Sequence, residues 1–247
     1  AFRLLDWGDT LDFALPPDRR IRRVNDVPGV AEADDLVVRA ARLLQAHTGT
    51  ELGADITVHK VLPMGGGIGG GSSDAATTLI ALNRLWGTGL SRTALQALGL
   101  QLGADVPVFV FGRDAFAEGV GETLQALELP AAWYVVVSPG VSVPTAEIFS
   151  AKDLTRNTPL IKMADFATST TRNDLQAVAC RRYPEVQSAI EWLDAHAPAM
   201  MTGSGACVFA EVSSEAEADR IAKSCPPRWK AWTVQSLTRH PLYEWLQ

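Results

Sequence analysis

Apolar residues recur at helical spacing in five stretches of the chain. In the stretch LVVRAARLLQAH, residues 36–47, they fall every three or four positions and therefore on one face of a helix. Asp34 and Asp35 precede this stretch, where carboxylates suit the positive N-terminal end of a helix. Further helices are predicted over residues 72–86, 91–100, 184–196 and 214–224.

Short apolar or alternating runs bounded by turn residues predict the strands. They cover residues 2–5, 10–13, 56–60, 106–111, 115–118, 134–138, 206–211 and 229–235. Helices and strands are mixed throughout the chain, which predicts an α+β fold. The polar residues 156–171 lack periodicity and predict a loop. A boundary just before the strand at 134–138 gives two expected domains, residues 1–128 and 129–247.

Composition argues against several classes of function. The 247 residues are 47% hydrophobic and 20% charged, as in ordinary globular proteins, and carry a net charge of −6. An acidic chain repels nucleic acids and anionic membranes, so we expect neither as a partner. No apolar run approaches the roughly 20 residues of a membrane span. Three cysteines without a CxxC pair predict neither a disulfide framework nor a zinc site, and they fit the reducing cytoplasm.

The segment PMGGGIGGGSSDAA, which begins at Pro63, is the strongest chemical signal in the sequence. Six glycines occupy the seven positions 65–71, although glycine loses the most backbone entropy on ordering. Positive φ angles and close approach of a ligand to bare backbone are two needs that explain this choice. A predicted strand precedes the loop and a predicted helix follows it, so several N–H groups and a helix N-terminus converge. Such a point binds anions, and phosphate is the usual one.

Two common phosphate motifs do not describe this loop. The P-loop ends in Gly-Lys-Ser/Thr, whereas Gly71 stands directly before Ser72 here. The dinucleotide pattern G-x-G-x-x-G matches at Gly65, Gly67 and Gly70. It also needs an acidic residue about 20 positions on, and residues 89–99 contain none. We therefore reject both motifs.

The glycine segment resembles the ATP-binding motif of the GHMP kinases, the galactose, homoserine, mevalonate and phosphomevalonate kinases. Three further stretches carry the same resemblance: LGADVPVFVFG from Leu102, AEGVGE from Ala117 and MTGSGACVFAE from Met201. The resemblance spans essentially the whole chain. It implies an ATP-dependent small-molecule kinase with Mg²⁺ as cofactor. The implied fold has a ribosomal-protein-S5-like N-terminal half, a ferredoxin-like C-terminal half and a site in the cleft between them.

The resemblance also implies residue roles on the nucleotide side. Asp105 is implied to accept the proton of the attacking hydroxyl, although its residue neighbours alone favour a turn or capping aspartate. The family places a lysine such as Lys60 beside the adenine and ribose, opposite an Asp-Asn-Leu segment in which Asp35 replaces the asparagine here. Asp74 is left open between a water-mediated Mg²⁺ contact and a helix cap. The expected nucleotide-binding residues are Lys60, Pro63, Met64, Gly65, Gly66, Gly67, Ile68, Gly69, Gly70, Gly71, Ser72 and Ser73.

On the acceptor side, the implied substrate is a cytidine diphosphate-linked methylerythritol. Phe149 is implied to stack on the cytosine ring, with Thr145, Phe2 and Asp105 also on the substrate side. Aromatic stacking suits a planar base. The second glycine-rich turn, residues 201–206, is implied to close over the phosphate region. The protein is expected to be a monomer or a weak homodimer.

Part of the family pattern does not occur in the sequence. The family begins with a strand that carries a catalytic lysine and an asparagine, followed by an Asp-Gly-Tyr-His stretch that recognises cytosine. No Gly-Tyr-His occurs in this sequence, so we expect that a segment before Ala1 was removed or left out. Two alternatives stay open: another GHMP small-molecule kinase, and a nucleotide-binding module without catalysis.

Overall fold

The computed structural model describes residues 1–168 and 171–246, which form two compact units. The first unit contains Ala1–Leu62, Gly70–Leu129 and the described part of Leu237–Gln247. The second unit contains Pro63–Gly69 and Pro130–Ser236. This division differs from the predicted consecutive domains, 1–128 and 129–247, in two segments. The glycine-loop residues 63–69 belong to the second unit, and the C-terminal residues return to the first.

The first unit combines helices with a three-stranded sheet and a hairpin. The sheet has the order β1-β3-β2, in which β1 runs antiparallel and β2 parallel to β3, and the hairpin pairs β4 with β5. The strands are β1 (Thr10–Ala14), β2 (Ile21–Arg23), β3 (Ala54–His59), β4 (Ala115–Glu118) and β5 (Thr123–Ala126). The helices are α1 (Leu36–Thr48), α2 (Gly70–Leu85), α3 (Arg92–Leu102), α4 (Val106–Phe111) and a 3-10 turn at Tyr243–Leu246.

Capping explains where α1 begins and ends. The Asp35 carboxylate accepts a hydrogen bond from the Val37 N–H at 2.9 Å, and Gly49 ends the helix with φ of 68°. The other Asp35 oxygen accepts from the Arg23 guanidinium at 2.7 Å. Both oxygens of Asp35 are therefore engaged inside the unit, in support of α1. The apolar face predicted for this helix is buried, with Leu44 fully covered.

The strand predicted at residues 106–111 is wrong, because this segment is helix α4. A six-residue apolar run does not distinguish a buried strand from a buried helix. Pro107 suits the first turn of a helix, where its missing N–H costs nothing, and Gly112 ends α4 in the left-handed conformation with φ of 74°. The strand predicted at 2–5 reduces to isolated bridge residues, Phe2, which pairs with Ala115, and Leu5.

The second unit is a four-stranded antiparallel sheet covered by helices. The strand order is β7-β8-β6-β9, and the succession β6, α7, β7, β8, α8, β9 is the β-α-β-β-α-β of ferredoxin-like folds. The prediction of a ferredoxin-like C-terminal half is thus confirmed. The elements are β6 (Trp133–Ser138), α5 (Thr145–Phe149), α6 (Gln176–Arg182), α7 (Pro184–Asp194), β7 (Ala199–Met201), β8 (Val208–Val212), α8 (Glu215–Lys223) and β9 (Lys230–Gln235).

The segment predicted as a loop, residues 156–171, extends in part beyond the described residues. A 3-10 helix at Met163–Thr168 interrupts it, and residues 169–170 are outside the description. Among the helices of the described residues, none has both the length and the apolar character that a membrane crossing requires.

Candidate functional site

The loop residues Pro63–Gly69 adopt a conformation that only glycine takes readily. Gly65, Gly67 and Gly69 have φ of 68°, 69° and 76°, in the left-handed region where a Cβ atom is costly. Alternate positions of the loop therefore need glycine for backbone reasons alone. The prediction that the segment requires positive φ angles is confirmed.

The same loop packs against the second glycine-rich turn, Met201–Cys207, within the second unit. The Cys207 N–H donates to the Gly66 carbonyl at 2.9 Å, and the Ala206 N–H donates to the Gly65 carbonyl at 3.3 Å. The Thr202 hydroxyl donates to the Gly67 carbonyl at 3.1 Å. Three hydrogen bonds thus join two segments that the sequence analysis singled out separately.

This packing supplies a further reason for the glycines. A Cβ at Gly67 would lie 2.5 Å from the Thr202 carbonyl oxygen and 2.6 Å from that of Gly205. A Cβ at Gly66 would lie 2.7 Å from the Cys207 sulfur. Part of the close approach that the sequence analysis assigned to a ligand is therefore made by the protein itself. At Gly71, by contrast, a Cβ would meet only Leu36 at 3.6 Å, an ordinary contact.

Two polar side chains, those of Asn173 and Thr145, form hydrogen bonds with the second turn. Sequence reasoning predicted Thr145 as a site residue and missed Asn173. The Asn173 amide donates to the carbonyls of Met201 and Gly203 at 2.8 and 2.7 Å. Thr145, the first residue of α5, shares a hydrogen bond of 2.8 Å with the Ser204 hydroxyl. Phe149 ends the same helix with 51% of its surface exposed. The structure thus connects the predicted substrate residue Thr145 to the second turn and leaves the Phe149 ring accessible.

The start of α2 lies in the first unit and provides free N–H groups. The helix begins at Gly70, two residues before the predicted start, so Ser72 and Ser73 lie inside its first turn rather than at its cap. The first N–H groups of a helix have no intrahelical partner and attract anions. Both serine hydroxyls lie in the same turn and are only partly buried.

A buried charge cluster of Asp9, Lys60 and Asp74 lies beside the start of α2 in the first unit. The Lys60 ammonium donates to the Asp74 carboxylate at 2.8 Å and also to the Asp9 carboxylate. The Asp9 side chain is completely buried, and that of Asp74 nearly so. Of the two roles left open for Asp74, neither describes this contact, because its carboxylate pairs with Lys60. Asp9 was not predicted as a site residue.

The electrostatics of this cluster follow from burial and from its two-to-one ratio of carboxylates to ammonium. Burial raises the pKa of Asp74 to about 6, and the nearby Asp9 charge adds to the rise, while Lys60 opposes it. Burial acts against the charge of Lys60, but hydrogen bonds from its ammonium to Asp74 and Asp9 outweigh it and raise the pKa of Lys60 above its ordinary value. The lysine therefore stays charged, and Asp74 is the member that titrates close to neutrality.

We expect Asp74→Asn to stabilise the fold at pH 7 by about 1–3 kcal/mol. The folded pKa of Asp74, about 6, lies above the ordinary 3.8, so its contribution to stability is greatest at low pH and is lost as pH rises through 6. The advantage of the variant over the parent should shrink between pH 7 and pH 4. Chemical denaturation across that range measures it, and an advantage that stays constant would contradict the assignment.

Asp105 and Phe2 belong to the first unit. Asp105 precedes the first residue of α4, and within the described residues its carboxylate accepts no hydrogen bond. The side chain retains solvent access, yet surrounding protein atoms desolvate it and raise its pKa. Phe2 exchanges backbone hydrogen bonds with Ala115 at 2.8 and 3.0 Å, and its side chain is half-buried. An unpaired carboxylate with a raised pKa is suited to accept a proton.

The described residues contain no group of three or more His, Cys, Asp or Glu side chains arranged to hold a metal ion. The hydroxyls of Ser72 and Ser73 are oxygen ligands of the kind that Mg²⁺ accepts.

Comparison with known proteins gives matches over both halves of the chain. The family profile described as "GHMP kinases N terminal domain" matches residues 35–113, and "GHMP kinases C terminal" matches residues 151–230. A protein of Azoarcus sp. (strain BH72) named 4-diphosphocytidyl-2-C-methyl-D-erythritol kinase is 75% identical over 243 residues, which are 98% of this chain and 86% of the relative. A protein of the same name from Aromatoleum aromaticum is 67% identical, over 100% of this chain and 87% of the relative.

Solved structures agree with these sequence matches. A crystal structure of 4-(cytidine 5'-diphospho)-2C-methyl-D-erythritol kinase superposes with a TM-score of 0.79 and 31% identity, over 94% of this chain and 87% of that one. The L. major mevalonate kinase, solved in complex with R-mevalonate, gives a TM-score of 0.68 at 17% identity, over 93% of this chain and 86% of that one. The second similarity shows a shared fold alone.

Proposed function

The chain belongs to the GHMP kinases, and we propose that it transfers the γ-phosphoryl group of ATP to the 2-hydroxyl of 4-diphosphocytidyl-2-C-methyl-D-erythritol. The observation that carries this proposal is the 75% identity to a kinase of that name over 98% of the chain. The positive-φ glycines of the loop support the nucleotide half of the reaction independently, because left-handed residues in a turn are typical of backbone that binds anions through its N–H groups.

The nucleotide's phosphates bind to the backbone N–H groups of Gly65–Ser73 and to the free N-terminus of α2 in this proposal. The Ser72 and Ser73 hydroxyls are the protein oxygens that would hold Mg²⁺, which would supply neutralisation of phosphate charge when bound. Lys60 lies beside the start of α2, where its ammonium offsets negative charge of Asp9 and Asp74 that would otherwise oppose the binding of phosphate.

Asp105 is the proton acceptor in the proposed reaction. The substrate's 2-hydroxyl gives its proton to the Asp105 carboxylate as its oxygen bonds to the γ-phosphorus. The bond from the γ-phosphorus to the bridging oxygen breaks, and ADP leaves with that oxygen. A carboxylate without a hydrogen-bond partner inside the described protein is free to take this proton.

Cytosine recognition is assigned to the exposed ring of Phe149. A planar aromatic side chain that ends a helix, with 51% of its surface open, has a face available for stacking. Thr145 begins the same short helix and is held by Ser204, so α5 is tied to the second glycine turn. Phe2 completes the proposed substrate contacts.

The compartment and partners form the remainder of the proposal. The thiols of Cys180, Cys207 and Cys225 are free, which supports a reducing compartment such as the cytoplasm. The proposed partner is the small-molecule substrate, and a monomer or weak homodimer stays a prediction.

The experiment that tests the function measures ADP formation by the purified full-length protein with ATP, Mg²⁺ and one acceptor at a time. We expect turnover with the cytidylyl-linked methylerythritol, inhibition by CMP, and no turnover with homoserine or mevalonate. Phosphorus NMR should show one new phosphomonoester. Preferential turnover of homoserine or mevalonate would identify another GHMP kinase, and nucleotide binding without acceptor-dependent ADP would identify a non-catalytic module.

A further inference from the structure

The two ends of the glycine loop lie side by side in the first unit. The chain leaves this unit after Leu62 and returns to it at Gly70. A Cβ at Gly70 would lie 3.1 Å from a Leu62 methyl carbon and 3.6 Å from an Asp9 carboxylate oxygen. The base of the loop is therefore narrow, and Asp9 lies directly at it.

Asp9 contacts one end of the loop through three donors. One carboxylate oxygen accepts from the Val61 N–H at 2.6 Å and from the Leu62 N–H at 2.9 Å. The other oxygen accepts from the Lys60 ammonium. These three donors are consecutive residues, the last three before the loop begins at Pro63. A single side chain thus fixes both the backbone direction and the lysine at the loop's entry.

Lys60 extends this contact to the other end of the loop. Its ammonium also donates to Asp74 at 2.8 Å, and Asp74 is the fifth residue of α2. The ion pair therefore joins the third residue before the loop to the first turns of the helix after it. Asp9, Lys60 and Asp74 together bridge the two ends of the loop, and we call these three residues the clasp.

The burial of Asp9 indicates that this arrangement is needed. Its side chain has no exposed surface, and a buried charge is costly unless it is paired and hydrogen-bonded. The segment that the clasp bounds has six glycines in positions 65–71, which offer no side chains by which the first unit could hold it. Hydrogen bonds to the second turn hold Gly65, Gly66 and Gly67, and the groups at the ends of the segment set the direction in which it leaves the first unit and returns.

We propose that Asp9 is a positioning residue for the phosphate-binding loop, which acts through the N–H groups of Val61 and Leu62 and through Lys60. It touches neither nucleotide nor acceptor in this assignment. Its role is to hold the loop's base in the one geometry that directs the backbone N–H groups at the phosphates. The inference rests on the proposed function, since it presumes that the loop binds ATP.

Two substitutions separate the parts of this role. Asp9→Asn keeps an oxygen for the Val61 and Leu62 N–H groups but places an amide where Lys60 needs an acceptor. Asp9→Ala removes every contact. We expect the KM for ATP to rise about 3-fold in Asp9→Asn and about 10-fold or more in Asp9→Ala, with kcat much less affected, since small misplacements of binding groups have large effects.

The matched control is Asp12→Asn in β1. Asp12 also bonds to a nitrogen-bearing side chain, the imidazole of His59, at 2.8 Å, but its side chain is 69% exposed. Steady-state kinetics for ATP and for the acceptor, calorimetric titration with ADP, and thermal unfolding are measured on the parent and the three variants. We expect the control to match the parent in all of them, and the Asp9 variants to lose ADP affinity in parallel with their rise in KM for ATP.

The kinetics, ADP affinity and folding of the Asp9 variants decide whether Asp9 positions the loop. A graded rise in KM for ATP with an unchanged KM for the acceptor supports it. Folded Asp9 variants with lower melting temperatures but the parental KM and ADP affinity would overturn it, as would failure of both variants to fold, since Asp9 would then serve the fold as a whole. If the parent protein itself makes no acceptor-dependent ADP, the proposed function fails, and ADP titration of the variants still judges the positioning role.

Discussion

The Asp105→Asn variant is expected to lose roughly 10²- to 10⁴-fold in kcat, the usual contribution of a general base. An amide cannot accept the hydroxyl proton, while its size and shape leave the start of α4 unchanged. Because Asp105 accepts no hydrogen bond within the described residues, its replacement by asparagine removes no hydrogen bond of the fold. The KM for ATP and the affinity for ADP should therefore stay within about 3-fold of the parent, a separation expected for a group that acts in the transition state.

The pH dependence of the parent enzyme provides a second readout for Asp105. Desolvation by surrounding protein atoms raises the pKa of this carboxyl above its ordinary value even though the residue keeps solvent access, and the base must be ionised to act. Activity should therefore fall on the acid side at a pH above the ordinary titration of an aspartate. Asp26→Asn, whose carboxylate is 90% exposed, is the matched control and should retain full activity. Near-parental turnover in Asp105→Asn would remove Asp105 from the mechanism.

Most helices and strands could be predicted from the sequence, because the features that start and end them lie within a few residues of their ends. The caps of α1 and α3 are examples: Asp35 and Ser91 each stand before a helical apolar pattern, and each accepts the expected N–H. Helix α4 was predicted as a strand, because its six apolar residues are compatible with both the helical and the strand period. Five short elements were not predicted, because three to seven residues are too few to show a periodic pattern. They are β2, β5, β7, α5 and α6.

The residues of the site also differ in whether neighbouring sequence reveals them or only their distant partners do. The glycine loop is visible in sequence because its backbone demands are local and only glycine meets them. Asp9 and Asn173 are not visible, because their partners Lys60 and Met201 lie 51 and 28 positions away. A lone aspartate in a turn and a lone asparagine before a helix both have ordinary local explanations. Only the fold shows that one supports the loop's base and the other the turn against which the loop packs.

Gly67→Ala is expected to raise the KM for ATP by about 100-fold and to destabilise the protein. The left-handed φ of 69° costs alanine about 1–2 kcal/mol. The larger effect is steric, because the new methyl group would lie 2.5 and 2.6 Å from two backbone oxygens, those of Thr202 and Gly205. Backbone cannot rotate away as a side chain would, so the loop must shift, and a shift near 1 Å costs about 10²-fold in function.

Gly87→Ala separates the two causes, because Gly87 has nearly the same φ, 65°, and nothing within 4 Å of the added methyl. It should show the loss of stability that the backbone conformation alone produces, with parental kinetics for ATP. Thermal unfolding and initial rates on both variants make the comparison. Equal melting temperatures and equal KM values in the two variants would mean that contact between the loop and the second turn does not hold the phosphate-binding geometry. A higher KM for ATP and a lower melting temperature in Gly67→Ala than in Gly87→Ala would show that packing against the backbone of Thr202 and Gly205 maintains the loop conformation.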